Sequence, residues 1–208
     1  MADRKRGQDD RVDMSAAGAL PPGGKPDPDE SPWQTLGARE VYRNPWISVT
    51  EYSVRRPDGQ VGIYGVVDPG DNATIVALDE AGSISLVGEF RYVTQQYHWM
   101  LPSGKVEDGE EPLTAAQREL AEEAGVEAEE WTSLGAYHLS DGILKQVSHI
   151  FLARGLRPTL ARPEGTELFA MRSLPLREAV EACLRGEIAD APSVLGIWRT
   201  WFLLHDGV

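Results

Sequence analysis

The segment from Gly104 to Val126, GKVEDGEEPLTAAQRELAEEAGV, constrains the fold of this chain more than any other. Leu113, Ala116, Leu120 and Ala124 recur at the spacing that lines one side of a 3.6-residue helix. Pro112 suits a first helical position and Gly125 the position just past the end, so the pattern predicts a helix over 112–124. Glu119, Glu122 and Glu123, at i, i+3 and i+4, fall on the arc beside the apolar stripe. Three carboxylates at the border of a core repel one another, and the repulsion grows as water is removed. Something must compensate. Hard divalent cations take carboxylate and carbonyl oxygens, and magnesium or manganese fits best, binding through a few carboxylates plus water and substrate phosphates. Arg118 is placed to brace a carboxylate through a bidentate contact without taking a metal position. The turn Glu107-Asp108-Gly109-Glu110 adds oxygen donors near the helix start, and Pro102-Ser103-Gly104 forms a second bend.

Charge narrows the partners. With 20 basic against 33 acidic side chains and a formal net charge of −13, the chain repels a phosphate backbone, so nucleic acid is not an expected partner. An acidic protein still binds a small polyphosphate when divalent cations stand between the two, which points to metal and a small-molecule ligand. The single cysteine, Cys183, excludes an intrachain disulfide, fits a reducing compartment and reads as a buried, inert thiol. No stretch approaches the roughly eighteen consecutive apolar residues of a membrane span, and the N-terminus lacks the apolar core of a signal peptide. The expectation is a soluble, cytoplasmic protein with no membrane partner.

Residues 1–32 mix a short basic cluster with Pro and Gly and few large apolar side chains, which predicts a flexible tail. The remainder, 33–208, is long enough for one well-buried core and does not demand a second. Strands are expected near 35–42, 46–55, 60–67, 73–79 and 83–91, with turns at Pro57-Asp58-Gly59 and Glu80-Ala81-Gly82. After the helix, strands recur near 131–139, 147–154 and 166–173, and helices follow at 175–185 and 191–204. Strands, then a helix, then strands, then helices argue for an α+β layered domain and against a doubly wound alternating fold.

The segment 104–126 resembles the Nudix box: Gly, five residues, Glu, seven residues, Arg-Glu-apolar, one residue, Glu-Glu, one residue, Gly-apolar. Gly104, Glu110, Arg118, Glu119, Leu120, Glu122, Glu123, Gly125 and Val126 fill every defined position. From average residue usage such a match arises by chance on the order of once in ten million chains. An acidic, solvated helix face would account for the three helical glutamates but not for Gly104 and Glu110 at their spacing. The resemblance implies a Nudix-type α/β/α sandwich with a mixed central sheet and, here, an N-terminal antiparallel β-region. It implies Glu119, Glu122 and Glu123 as metal ligands, the Ser103 carbonyl as a further ligand, Glu110 as an accessory acidic group, and Arg118 as the residue that orients the carboxylates. The implied activity is metal-dependent hydrolysis of the phosphoanhydride bond in a nucleoside diphosphate linked to another group.

Over about residues 36–200 the likeness is closest to the ADP-ribose pyrophosphatase and nucleotide-sugar hydrolase branch. Glu89-Phe90-Arg91-Tyr92 and Trp99-Met100-Leu101-Pro102-Ser103-Gly104 look like the strand and turn leading into the box there. By that resemblance Arg91 contacts substrate phosphate, and Trp99 and Gln146 lie against substrate; a strand-end surface arginine is the other reading of Arg91. Where the branch carries a glutamate base, the loop Ser140-Asp141-Gly142-Ile143-Leu144-Lys145-Gln146 has Gln146, whose neutral amide takes no proton. The base then falls to Asp141, a box glutamate or hydroxide on the metal, or turnover is slow and the chain is a Nudix-like nucleotide-binding or sensing module. The proline often associated with ADP-ribose specificity is replaced by Asp141. Trp33, Trp46, Tyr97 and Trp99 read as nucleobase-stacking, core or dimer-interface residues. The N-terminal strands with Trp33 and Trp46 resemble elements that pair subunits in this branch, which implies a homodimer. The four histidines, without metal-ligand spacing, read as structural or surface residues.

Overall fold

A computed structural model describes residues 31–159 and 170–205. Its organising element is the run Asn72–Ala77, NATIVA, almost wholly buried and apolar on both alternating faces. A strand with that pattern is stable only at the centre of a sheet covered on both sides. It becomes β4, the fourth of ten strands among the described residues, in a mixed sheet of order β7-β4-β9-β8 formed with Ser103–Lys105 (β7), Val147–Pro158 (β9) and Val126–His138 (β8). β4 and β9 run parallel, and β7 and β8 flank them antiparallel.

Alternation along β4 divides the core in two. Ala73, Ile75 and Ala77, with Phe151 and Ala153 of β9, face Ala115, Ala116 and Leu120 of the helix Pro112–Ala124 (α1). Val76, Ile150 and Leu152 face the other way, toward the helices Leu176–Leu184 (α2) and Ala191–His205 (α3). Each fully buried Ile or Leu in these layers contributes about 1.5–3 kcal/mol, so the sheet holds its helices by many modest contributions. A second, antiparallel sheet of order β10-β5-β6 joins Ala170–Pro175 (β10), Ser83–Arg91 (β5) and Gln96–Met100 (β6). Gln34–Arg43 (β1), Ser48–Arg55 (β2) and Val61–Asp68 (β3) form a separate antiparallel sheet at the N-terminal end.

The α+β architecture with a mixed sheet between helices matches the expectation, and both expected turns form, with Gly59 and Gly82 at φ 81° and 79°. α1 has the expected bounds, but its buried stripe is shifted: Ala115 is buried, whereas Leu113, in the first turn, is 39% exposed. β8 begins five residues before the expected 131. Gly125, left-handed at φ 63°, donates its N–H to the Ala121 carbonyl and turns the chain within one residue, so Val126 pairs at once with Pro158. The acidic run there conceals a strand because its charges face basic partners across the ladder, Glu127 opposite Arg157 and Glu130 opposite Arg154. β10 starts at Ala170, and 166–169 of its expected span lie outside the described residues, as does nearly all of the expected tail. β7 forms where only a bend is expected.

Candidate active site

α1 and the loop before it form one electrostatic unit. The loop closes on itself: Glu110 N–H donates to the Glu107 carbonyl at 2.9 Å, and Glu107 N–H donates to Glu110 Oε2 at 3.0 Å. Glu110 then holds Arg118 in a bidentate grip, from Nε at 3.2 Å and Nη2 at 3.1 Å. Nη2 also donates to the Lys105 carbonyl at 2.9 Å, while Nη1 reaches Glu119 at 2.6 Å and Glu122 at 3.2 Å. Every side chain in the network is partly shielded, Glu119 to 13% exposure and Glu110 to 14%, so these charge-assisted bonds are stronger than surface pairs. The Arg118 guanidinium, hydrogen-bonded first by Glu110, is pushed above its ordinary range, and the same contact holds the Glu110 carboxyl below its ordinary 4.5.

β7 brings the backbone up to the same carboxylates. Glu123 Oε2 accepts the N–H of Ser103 at 2.9 Å. A Cβ on Gly104 would overlap the Glu119 carboxyl, so a larger residue there displaces that carboxyl from its present position. Ser103, Gly104, Glu119 and Glu123 therefore meet in one place, with Glu110 and Glu122 joined to it through Arg118.

The donor set suits a hard divalent cation. Three carboxylates (Glu110, Glu119 and Glu122) share one arginine and a fourth, Glu123, accepts the Ser103 N–H, all of them oxygen donors. Among the described residues no three acidic, His or Cys side chains are already gathered as a coordination shell. Two of the carboxylates converge on Nη1 of Arg118, the position of positive charge that an incoming cation would take over. Glu110 and the Lys105 carbonyl would keep the guanidinium beside it.

The other expected residues divide between two places. Arg91, at the end of β5, donates to Met100 Sδ at 2.9 Å and pairs with Glu89 at 3.0 Å. The register places Val87 opposite Met100, Glu89 opposite His98 and Arg91 opposite Gln96 on one face of the sheet, three residues before Ser103. Trp99 does not share that face. Strand alternation sends it the other way, to a cavity of about 320 Å³ beside Arg172 and α2.

Asp141 and Gln146 line a larger cavity, about 1010 Å³, between the N-terminal sheet and the turn 107–110, which brings Glu110 into its wall. Gln146 Nε2 donates to the Gly70 carbonyl at 3.0 Å. The cavity also exposes Tyr52, Tyr64, Asp68, Asp71 and His138, which the sequence reading left out. They are scattered over 87 positions, from 52 to 138, and only register unites them; the one local signal is the pairing of two tyrosines across β2 and β3.

Comparison with known proteins follows the same division. The profile of the NUDIX domain matches residues 68–195, and that of the nucleoside diphosphate sugar hydrolase N-terminal domain matches residues 33–67. The chain is 30% identical over 172 residues to the ADP-ribose pyrophosphatase of Mycobacterium tuberculosis, covering 81% of this chain and 83% of the relative. It is also 30% identical over 165 residues to the CMP-5'-(N-acetyl-N-hydroxy-3-aminopropyl)phosphonate hydrolase of Streptomyces rubellomurinus, covering 79% and 80%. The crystal structure of an ADP compounds hydrolase superposes with a TM-score of 0.72 at 23% identity, over 85% of this chain and 97% of that one, and shares its fold.

Because the Glu110–Arg118 contact lowers the Glu110 pKa in the folded state, its stabilisation is complete above the unfolded-state pKa and is lost as pH falls through the folded value. Arg118→Gln is expected to raise the Glu110 carboxyl pKa toward 4.5, read by carbon-detected NMR titration; an unchanged value would show that Arg118 is not its partner in solution. With the box assembled in space and its domain matched over 68–195, the chain belongs to the Nudix hydrolase family.

Proposed function

We propose that the chain hydrolyses the phosphoanhydride bond of a nucleoside diphosphate joined to an uncharged, hydroxyl-rich group, ADP-ribose or another nucleotide sugar, with Mg2+ or Mn2+ as cofactor. The observation that carries this reading is the place where Glu119 and Glu123 meet the backbone of Ser103 and Gly104. Glu119, Glu122 and Glu123 would hold the cation, with the Ser103 carbonyl as a further ligand and Glu110 as an accessory. A divalent ion so placed neutralises the diphosphate and acidifies a water. Arg118, fixed by Glu110 and the Lys105 carbonyl, keeps the carboxylates in position. Arg91 docks a phosphate oxygen on the neighbouring sheet face. In the reaction a water oxygen bonds to phosphorus, the bridging P–O bond breaks, and two phosphorylated products leave. Asp141 is the group assigned to accept the water's proton, because Gln146 is neutral and its amide is engaged with Gly70.

The large cavity supports an uncharged leaving group. Asp68, Asp71, Glu107, Asp108, Glu110 and Asp141 outnumber Lys145 and His138 on its wall, which disfavours further phosphates and suits hydroxyl donors. The relatives support the class without fixing the substrate, since two at equal identity carry names with different substrates. Gln146 in place of a base favours one second reading, a nucleotide-binding module that turns over little.

Two features support further parts of the proposal. Trp46, Ile63 and Val61 are 73%, 70% and 62% exposed on or beside the N-terminal sheet, as expected of a homodimer interface. Among the described residues no helix is long and apolar enough to cross a membrane. Cys183, whose thiol burial pushes up to about 11, is inert, and the cysteine usage supports a cytoplasmic setting.

With magnesium and a panel of ADP-ribose, ADP-glucose, GDP-mannose, dinucleoside polyphosphates and oxidised nucleoside triphosphates, the fastest turnover is expected on the nucleotide sugars. Chelation should abolish it, and Glu122→Gln should lower kcat/KM at least about 100-fold. Tight binding of one compound with no turnover would favour the sensing module. Light scattering at micromolar concentration is expected to report a dimer, and a monomer would remove that part of the proposal.

A further inference from the structure

Residues 142–147, directly after Asp141, are tied to one continuous stretch, Tyr64–Asp71. Tyr64 Oη donates to the Gly142 carbonyl at 2.7 Å. Val67 bonds in both directions, its N–H to the Ile143 carbonyl and its carbonyl to the Lys145 N–H, each at 2.9 Å, which makes a parallel bridge with Leu144. Lys145 pairs with Asp68 at 3.1 Å, Gln146 donates to Gly70 at 3.0 Å, and Val147 N–H donates to Asp71 at 2.8 Å. The segment is thus an added rung on the outer edge of β3, at the junction of the two matched domains, 33–67 and 68–195.

The two ties at Val67 are backbone-to-backbone contacts available to any sequence, and the other four each need a side chain. Tyr64 is different. Its ring is met edge-on by Trp33, with centroids 5.6 Å apart and planes at 84°, and stands opposite Tyr52 across the ladder. That packing fixes the phenol direction before the hydroxyl finds Gly142, the residue next to Asp141.

We propose that Tyr64 is a positioning residue for hydrolysis: through its hydrogen bond to the Gly142 carbonyl, the N-terminal sheet sets where Asp141 stands in the large cavity. The N-terminal module acts on the reaction by holding one loop of the hydrolase module in register. This rests on the reading that Asp141 meets the substrate there.

Tyr64→Phe keeps the ring against Trp33 and removes only the hydroxyl. Amide exchange at Val67 and Lys145 is expected to quicken about fivefold, and kcat/KM to fall by a similar factor, about fivefold. Tyr52→Phe, whose ring lines the same cavity, should leave exchange at those amides unchanged. Unaltered exchange in Tyr64→Phe, equal acceleration in both variants, or faster exchange with kcat and KM both intact would each overturn the proposal. Wild-type kinetics in Asp141→Asn would overturn it too, because the strap would then position nothing that matters. If the unsubstituted chain hydrolyses none of the panel, the broader functional reading fails instead, while the exchange comparison still reports on the strap.

Discussion

A single guanidinium gathers the acidic groups on which the site depends. Arg118 takes two bonds from Glu110 in the preceding loop and one each from Glu119 and Glu122 on its own helix, and it anchors to the Lys105 carbonyl. Without it, partly shielded carboxylates would stand within one turn of helix with only water to separate them, and α1 would carry the repulsion at the edge of the core. With it, the loop 107–110 is fastened to the helix, and Glu119 is drawn over Gly104, where a larger residue would displace its carboxyl. The network also leaves negative charge in excess, so it compensates the cluster only in part. That residual charge is what a divalent cation and a diphosphate would complete together.

The fold sets this network between two surfaces with different tasks. On one side the β10-β5-β6 sheet presents Arg91 beside Met100, on the strand that runs into Ser103. On the other, the N-terminal sheet and the segment 140–146 enclose an acidic cavity that meets the network at Glu110. Under the proposed function, Arg91 on the first surface would meet phosphate and the acidic cavity would accept hydrogen bonds from the group beyond it.

Much of this was legible in the chain. Pro112 and Gly125 mark the helix, and the spacing of Gly104 and Glu110 marks the loop that folds back on it, where Glu110 grips Arg118 and Gly104 lies under the Glu119 carboxyl. What was hidden depends on register. Trp99 reads as a site residue from its neighbours in sequence, yet alternation turns it away while Met100 and Arg91 share a face. Tyr52, Tyr64 and His138 meet only through strand pairing, and the start of β8 was masked by glutamates whose partners lie across the ladder. Leu113 fits the apolar stripe by periodicity but lies in the first turn and is exposed, so helical phase alone misplaces it.

The central claim is that Glu119 and Glu122, which share Arg118, join Glu123, which accepts the Ser103 N–H, in holding a divalent cation. Its most direct measurement is Mn2+ binding followed by electron paramagnetic resonance, comparing the unsubstituted protein with Glu119→Gln and Glu123→Gln. Saturable binding that weakens at least about tenfold in each variant is the predicted result. Undiminished Mn2+ binding in both variants would contradict it.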